Sequence, residues 1–516
     1  MATKPGISTI VVEQTTYVLG LDAGNTVIKA VLFDLEGRQI AMHALDGQSS
    51  TPQPGHVERD LGELWSNAQV AIRQCIEGAG IDPARIAAIG CAGHGNGLYL
   101  LDKEDQPLVG IQSLDTRAAE LADLLRSEEG EALHGLCLQE PWPSQTPVLL
   151  AWIKANRPDL FERAGTLFLC KDFITFKLTG QKVSDISDMS GCGLTCMPEC
   201  VYDDELLTLY GLQDARNLLP RLIHPTDVAG RVTTEAAALT GLAEGTPVVA
   251  GYFDVIASAI GSGVVRPGEA SIIAGTWSIN QVFSQEPVVD RTMFMASGFA
   301  PGRFVNIEAS ATSAANLEWY VREFVERGAH HDDPFGYCND RIAEIAPGED
   351  DPFFHPFLYG SGQGAEFRAG FYGLAGWHTE AHLLRALFEG VMFEHRRHVE
   401  VLQSAGVQFD AAILSGGGAR SPVWPQMFAD CLGVPIGVAD ARETGALGAA
   451  IGACVGADLF PSYEQAVSSM TSVRKTYRPT SSMKSHYNNR YQTFLKLTEA
   501  MKGFWSGRSD TNLPGA

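Results

Sequence analysis

The stretch Pro247 to Gln281 limits what this chain can fold into more than any other. An apolar run, Pro247-Val-Val-Ala, reads as a buried strand and opens at Gly251-Tyr-Phe-Asp254. Val255 to Gly261 is small and apolar, the composition of a closely packed helix. A second apolar strand, Ala270-Ser-Ile-Ile-Ala, stops at Gly275-Thr276-Trp277-Ser278. Asp254 is the only charge between Pro247 and Val265, and it falls where a strand hands over to a helix. The free N–H groups and partial positive charge of a helix start favour a carboxylate there. An N-cap aspartate would explain the residue taken alone. The Gly-Thr-Trp-Ser turn tilts the reading further, because a backbone-exposing turn beside a lone carboxylate suits phosphate chemistry.

Composition narrows the partners. The 516 residues predict about two to three domains. With 45% hydrophobic and 19% charged residues the chain is of ordinary globular type. Thirty-eight Lys and Arg against 61 Asp and Glu leave a net charge of −23, which repels nucleic acid and anionic membranes. An anionic ligand therefore needs a local site. No apolar run is long enough to span a bilayer, and the first residues lack the pattern of a signal peptide. The ten cysteines are mostly scattered through apolar segments, as expected of reduced core residues in a cytoplasmic protein. Cys192, Cys196 and Cys200 lie four apart but lack a fourth ligand, so no metal is expected there.

Along the first half, Tyr17 to Asp34 reads as strand, tight turn, strand around Gly24-Asn25-Thr26. Such a turn can aim N–H groups and a hydroxyl at a phosphate, and Asp22 at its base could hold a hydrated Mg2+. An ordinary surface hairpin explains the same residues. Asp60 to Gly80 has helical periodicity. Ile86 to Ala92 is a buried strand ending in Gly93-His94-Gly95-Asn96-Gly97, and Leu98 to Asp102 is another. Glycines flanking His94 and Asn96 let donors and acceptors approach a small polar ligand. Asp115-Thr-Arg117 reads as a helix start with a solvated arginine, Val148 to Asn156 as a helix, and Ser184 to Asp188 as a polar turn.

In the second half, Phe304 to Glu308 and Phe353 to Tyr359 read as strands, and Asp332-Asp333 as a solvated acidic loop. The longest helix expected is His378 to Ser404; His395 and His398 on it sit in a charged stretch and are not read as metal ligands. Ala411 to Ser415 is a strand followed by Gly416-Gly417-Gly418-Ala-Arg420-Ser421 and a helix from Pro422 to Cys431. Glycines between a strand and a helix start admit a flat or anionic ligand. Gly445 to Gly456 is a small-residue helix that can pack beside that loop.

Each half thus holds a hairpin around a phosphate-type turn, a weak duplication that breaks near residues 251–256. LGLDAGNTVIKAVLFD resembles the first phosphate motif of the actin-like ATPases, IIAGTWS the second, and ILSGGGARSPVWPQMFAD the adenosine motif. GYFD resembles the catalytic-aspartate segment of the FGGY carbohydrate kinases, and Ala369 to Glu389 their C-terminal signature. The resemblance covers roughly residues 17 to 500. It implies an α/β fold of two duplicated actin-like ATPase (ribonuclease H-like) domains, residues 17–253 and 254–505, with nucleotide and sugar in the cleft between them. Residues 1–16 and 506–516 are expected to be flexible termini. Within the family, Glu308 to Trp319 and Phe357 to Gly364 look most like the L-xylulose kinases. Two departures concern the sugar: Gly360 to Gly364 replaces a usual Gly-Glu-Arg-x-Pro, and His94 replaces a usual glutamine.

The resemblance implies ATP and Mg2+ as cofactors and a ketopentose such as L-xylulose as acceptor. Asp254 would accept the hydroxyl proton and, with His94, Gly95 and Asn96, hold the sugar. Asp22 would hold Mg2+ through water. Gly24, Asn25, Thr26 and Lys29 would address the phosphates from one domain and Gly275 with Thr276 from the other. Gly417, Gly418 and Ser421 would line the adenosine, with Ala314 and Glu318 near them. Sugar, ATP and ADP are then the partners, with neither nucleic acid nor membrane, and a homodimer is left open. The competing readings are a polyol kinase for glycerol or erythritol, a protein-handling actin-like ATPase, and a non-catalytic sugar sensor.

Overall fold

The computed structural model describes residues 16–506 except 329, 363, 365 and 366, so the expected flexible ends and the Gln363 of the Phe357–Gly364 segment lie largely outside it. Two twisted sheets repeat one plan. The first holds β1 (Tyr17–Ala23), β2 (Val27–Asp34), β3 (Gln39–Asp46), β4 (Ile86–Gly93), β5 (Val228–Arg231) and β6 (Pro247–Val249), in the order β5-β6-β4-β1-β2-β3. The second holds β7 (Ala270–Ala274), β8 (Ser278–Ser284), β9 (Met295–Ala300), β10 (Arg303–Ser310), β11 (Ala412–Ser415), β12 (Ile436–Ala439) and β13 (Val473–Tyr477), in the order β9-β10-β8-β7-β11-β12-β13.

The two match strand for strand. β1, β2 and β3 pair antiparallel, as do β7, β8 and β10. β1, β4 and β6 run parallel, as do β7, β11 and β12. An antiparallel edge strand closes each sheet, β5 in one and β13 in the other. Among the described residues, β9 has no counterpart in the first sheet, and the short strand Tyr252–Phe253, which pairs parallel to β4, has none in the second. The faint duplication in the sequence is thus a full topological repeat, the two-domain actin-like fold.

Local chemistry explains the elements that carry the site. In α1 (Leu61–Ala79), Asp60 caps the Glu63 N–H at 2.7 Å and Gly80 ends the helix at φ 62°; such an N-cap contributes about 1 kcal/mol. The buried faces of the first sheet and α1 build one core, around Leu21, Ile28, Leu64, Trp65 and Ile89. A five-stranded sheet that includes Leu98–Asp102 sits beside it, so the loop Gly93 to Gly97 passes from one sheet into the other.

The lobes meet through two helices, α2 (Asp254–Gly261) and α4 (Thr444–Gly456), with α3 (Glu380–Ser404) behind the second sheet. A Cβ placed at Gly448 would lie 1.8 Å from the Ala257 carbonyl oxygen, so the helices touch backbone to backbone. α4 also lies on the first sheet, where a Cβ at Gly20 would stand 1.9 Å from the Ala446 carbonyl oxygen. The expected Gly445–Gly456 helix therefore packs between the lobes as well as beside the adenosine loop.

Several expectations change. The strand expected over Phe353 to Tyr359 ends at His355. Arg117 starts no helix, since that begins at Ala119, and it is buried on Asp115 and Glu58 (2.8 Å each). Ser184 to Asp188, expected as a polar turn, is not a turn. It is a buried strand end running into helix Ile186–Gly191, around the ammonium of Lys171. Lys171 Nζ lies 2.5 Å from Asp172, 2.6 Å from Asp185 and 3.4 Å from Asp188. His395 and His398 are fully buried and belong to no charged surface.

Candidate active site

A cleft cavity of about 350 Å³ lies between the lobes, and both phosphate-type turns open into it. Antiparallel pairing of Ala23 with Ile28 and of Ala274 with Ser278 leaves each turn at the same place in its sheet. Each turn presents one exposed threonine, Thr26 or Thr276. The first turn is braced from behind: Gln112 Nε2 donates to the Asn25 carbonyl (2.7 Å), Asn25 Nδ2 to Ser113 Oγ (2.9 Å) and Arg59 to the Gly24 carbonyl (3.3 Å). The second is tied to the next loop, where the Ala314 N–H donates to the Gly275 carbonyl (2.8 Å).

Asp254 lines the same cavity as both turns. It is the first residue of α2 rather than its N-cap, a place taken by Phe253. The helix entry is fixed from the buried Lys171 cluster, because the Phe253 N–H donates to Ser187 Oγ (3.1 Å), which in turn bonds Asp185. Burial, with Asp22 adding repulsion, pushes the Asp254 carboxyl up to about 8. Burial pushes Asp22 to about 6, with Lys29 opposing and Glu443 assisting. Two buried carboxyls raised in this way form a place that favours an added cation.

No group of three or more His, Cys, Asp and Glu able to hold a metal occurs among the described residues. Asp22 nevertheless fits Mg2+, which takes one or two carboxylates and completes its shell with water and phosphate oxygens. Lys29 is held elsewhere: its ammonium pairs with Glu443 at 2.7 Å, across the lobes.

The sugar loop lines the cavity with His94, Gly95 and Asn96. His94 has both ring nitrogens engaged within the protein. Nδ1–H donates to the Gly95 carbonyl (3.3 Å), which leaves Nε2 to accept from the Tyr99 hydroxyl (2.8 Å). Burial lowers its pKa to about 4, so the ring is a neutral wall. Asn96, at φ 62°, is buried, and its Oδ1 meets no hydrogen-bond partner. A buried orphan acceptor invites a ligand hydroxyl. Trp142, which sequence reasoning passed over, lines the same cavity and buries an equally unpartnered indole N–H. Its place in a proline-rich turn gave no periodic signal.

A second cavity, about 580 Å³, gathers Ala314, Glu318, Gly417, Gly418 and Ser421. Only glycine fits two of the positions that shape it. Gly416 has φ 84°, and a Cβ on Gly418 would come within 2.7 Å of Ala274 Cβ. Ser421 Oγ donates to Asn339 (2.6 Å) and accepts from the Val423 and Trp424 N–H groups (3.1 Å each), so it organises the loop. Asn339, Phe335 and Asp333 complete the wall from helix Pro334–Ala343 and its cap. Asp333, expected in a solvated loop, is that cap.

Comparison with known proteins agrees with this geometry. The N-terminal domain of the FGGY family of carbohydrate kinases matches residues 17–261 and its C-terminal domain residues 270–457. The chain is 35% identical over 499 residues to the L-xylulose/3-keto-L-gulonate kinase of Escherichia coli K12, covering 95% of this chain and 98% of that one. It is 36% identical to a probable L-xylulose kinase of Pasteurella multocida, covering 94% and 99%. The crystal structure of xylulose kinase from Rhodospirillum rubrum superposes with a TM-score of 0.86 at 28% identity, covering 95% of this chain and all of that one.

Proposed function

Because this chain belongs to the FGGY family of carbohydrate kinases, and is thus an ATP-dependent sugar kinase, we propose that its acceptor is the ketopentose L-xylulose and that Asp254 is the proton acceptor. The observation that carries the reading is the placement of Asp254 in one cavity with both phosphate turns and the sugar loop. The acceptor is suggested by the names of the two relatives above, similar along nearly their whole lengths.

The acceptor hydroxyl lies against Asp254, which takes its proton as the oxygen attacks the γ-phosphorus in line and ADP leaves. Only the ionised carboxylate can take that proton, and positive charge brought into the cleft with the nucleotide would favour the ionised form. Asn96 Oδ1 accepts from a second sugar hydroxyl, while His94 and Gly95 shape the wall. Gly24, Asn25 and Thr26 face the phosphates from one lobe and Gly275 with Thr276 from the other; Lys29 joins them on leaving Glu443. Ala314, Glu318, Gly417, Gly418 and Ser421 enclose the adenosine. Asp22 would hold Mg2+, and the ion would offset the phosphate charge. The net charge of −23 and the absence, among the described residues, of a helix able to cross a membrane support a cytoplasmic small-molecule enzyme.

The test is kcat/KM for L-xylulose, D-xylulose, L-ribulose, erythritol, glycerol and fructose. L-xylulose should lead. Glycerol should trail by as much as about 10⁴-fold, because it leaves buried polar groups unpaired. A lead by erythritol or glycerol would replace the ketose with a polyol.

A further inference from the structure

Behind the second phosphate turn runs a buried polar relay that the proposed chemistry does not use. Ser278 and Asn280 on β8 share a face of the sheet with Ser310 on β10, the cross-strand partner of Ser278. His395 and His398, three residues apart on α3, reach the same face. Asn280 sits between the two rings. Its Oδ1 lies 3.0 Å from His395 Nδ1 and its Nδ2 3.0 Å from His398 Nδ1.

An amide oxygen only accepts and an amide nitrogen only donates. His395 therefore carries its proton on Nδ1 and His398 on Nε2. The far nitrogens complete the chain of bonds. His395 Nε2 accepts from Ser313 Oγ (3.1 Å), and His398 Nε2 donates to Ser310 Oγ (3.0 Å), which meets Thr312 Oγ1 at 2.8 Å. Burial keeps both rings neutral, pushing His395 down to about 3 and His398 well below its ordinary value.

Both ends of the relay join segments that line the two cavities. Ser278 closes the turn that lines the phosphate cavity. Ser310 to Ser313 lead into Ala314, which bonds Gly275 and lines the adenosine cavity. Apolar side chains could fill this space without burying so many polar groups, so the directional bonds are what the site uses. We infer that His395, Asn280 and His398 are uncharged positioning residues that hold the phosphate turn and the adenosine loop at a fixed spacing, and so govern the binding of ATP and not of sugar. The inference rests on the reading that ATP occupies these two cavities.

Asn280→Asp keeps the shape but turns the donor half into a second acceptor. It should raise KM for ATP at least about tenfold while KM for the best acceptor sugar stays within about twofold, as the loss of one buried directional bond predicts. Ser310→Ala, a milder change that leaves the helix untouched, should move KM for ATP in the same direction by about threefold. Spectra of the free protein carrying 15N-histidine, assigned with His395→Gln and His398→Gln, should show one ring protonated on Nδ1 and the other on Nε2. Equal rises in both KM values, an unchanged KM for ATP in both variants, or two rings in one tautomer would overturn the inference. Wild-type protein with both tautomers but no ATP binding would bring down the proposed function, and the inference with it, while leaving the hydrogen bonds intact.

Discussion

Asp254 shows how a single residue can be placed at a cost to the free protein. Its folded pKa of about 8 lies far above the ordinary 3.8. Between those values the native state binds a proton that the unfolded chain releases, so stability falls as pH rises through that window. Asp254→Asn should therefore melt higher than wild type near pH 8, with the difference closing towards pH 4. The same variant should retain ATP and sugar binding but lose turnover by at least about a hundredfold, the low end for a general base. A folded variant with near-normal turnover would remove Asp254 from the chemistry. Lys171 is the opposite case. Burial disfavours its ammonium, but Asp172, Asp185 and Asp188 outweigh that and hold it well above its ordinary range. Lys171→Met strands these carboxyls, and denaturant unfolding should report a loss of about 3–5 kcal/mol at neutral pH. A loss under about 1 kcal/mol would mean that the carboxyls are already neutral.

At the scale of elements, the crossing of α2 and α4 joins the proposed catalytic carboxylate to the second lobe. The small residues of α4 were legible as close packing, because a run such as GALGAAIGACVG has no other use for its composition. What they pack against was not legible, since the partners, the Ala257 carbonyl and Gly20, lie nearly two hundred residues or more away in the chain. Gly448→Val must push the helices apart or distort one of them. It should destabilise the protein by about 3 kcal/mol, the upper end for overpacking, and lower kcat through displacement of Asp254. Thermal melting and turnover on the same preparation check this, and wild-type values for both would refute the crossing.

For the whole molecule, the proposed site is divided between lobes whose turns would have to converge on one phosphate chain. Acceptor and nucleotide together should close the cleft and exclude water. Small-angle scattering should show the radius of gyration fall when ATP analogue and sugar are both present, and less with either alone. ATP hydrolysis without sugar should be slow. Fast hydrolysis indifferent to every sugar would mean that closure does not gate the chemistry.

The amino-acid sequence alone determined the local features: the Gly24-Asn25-Thr26 and Gly275-Thr276 turns, the glycine loop at 416–418, and the lone Asp254 at a strand-to-helix junction. Each depends on residues adjacent in the chain, where backbone preference and local polarity suffice. Tertiary structure alone decided the rest. It buried Ser184 to Asp188 around Lys171, engaged both nitrogens of His94, held Lys29 on Glu443 and turned His395 and His398 inward. A polar residue reads alike in sequence whether it meets water or a partner a hundred residues away. Only the packing of sheets and helices supplies that partner, and burial makes the pairing necessary.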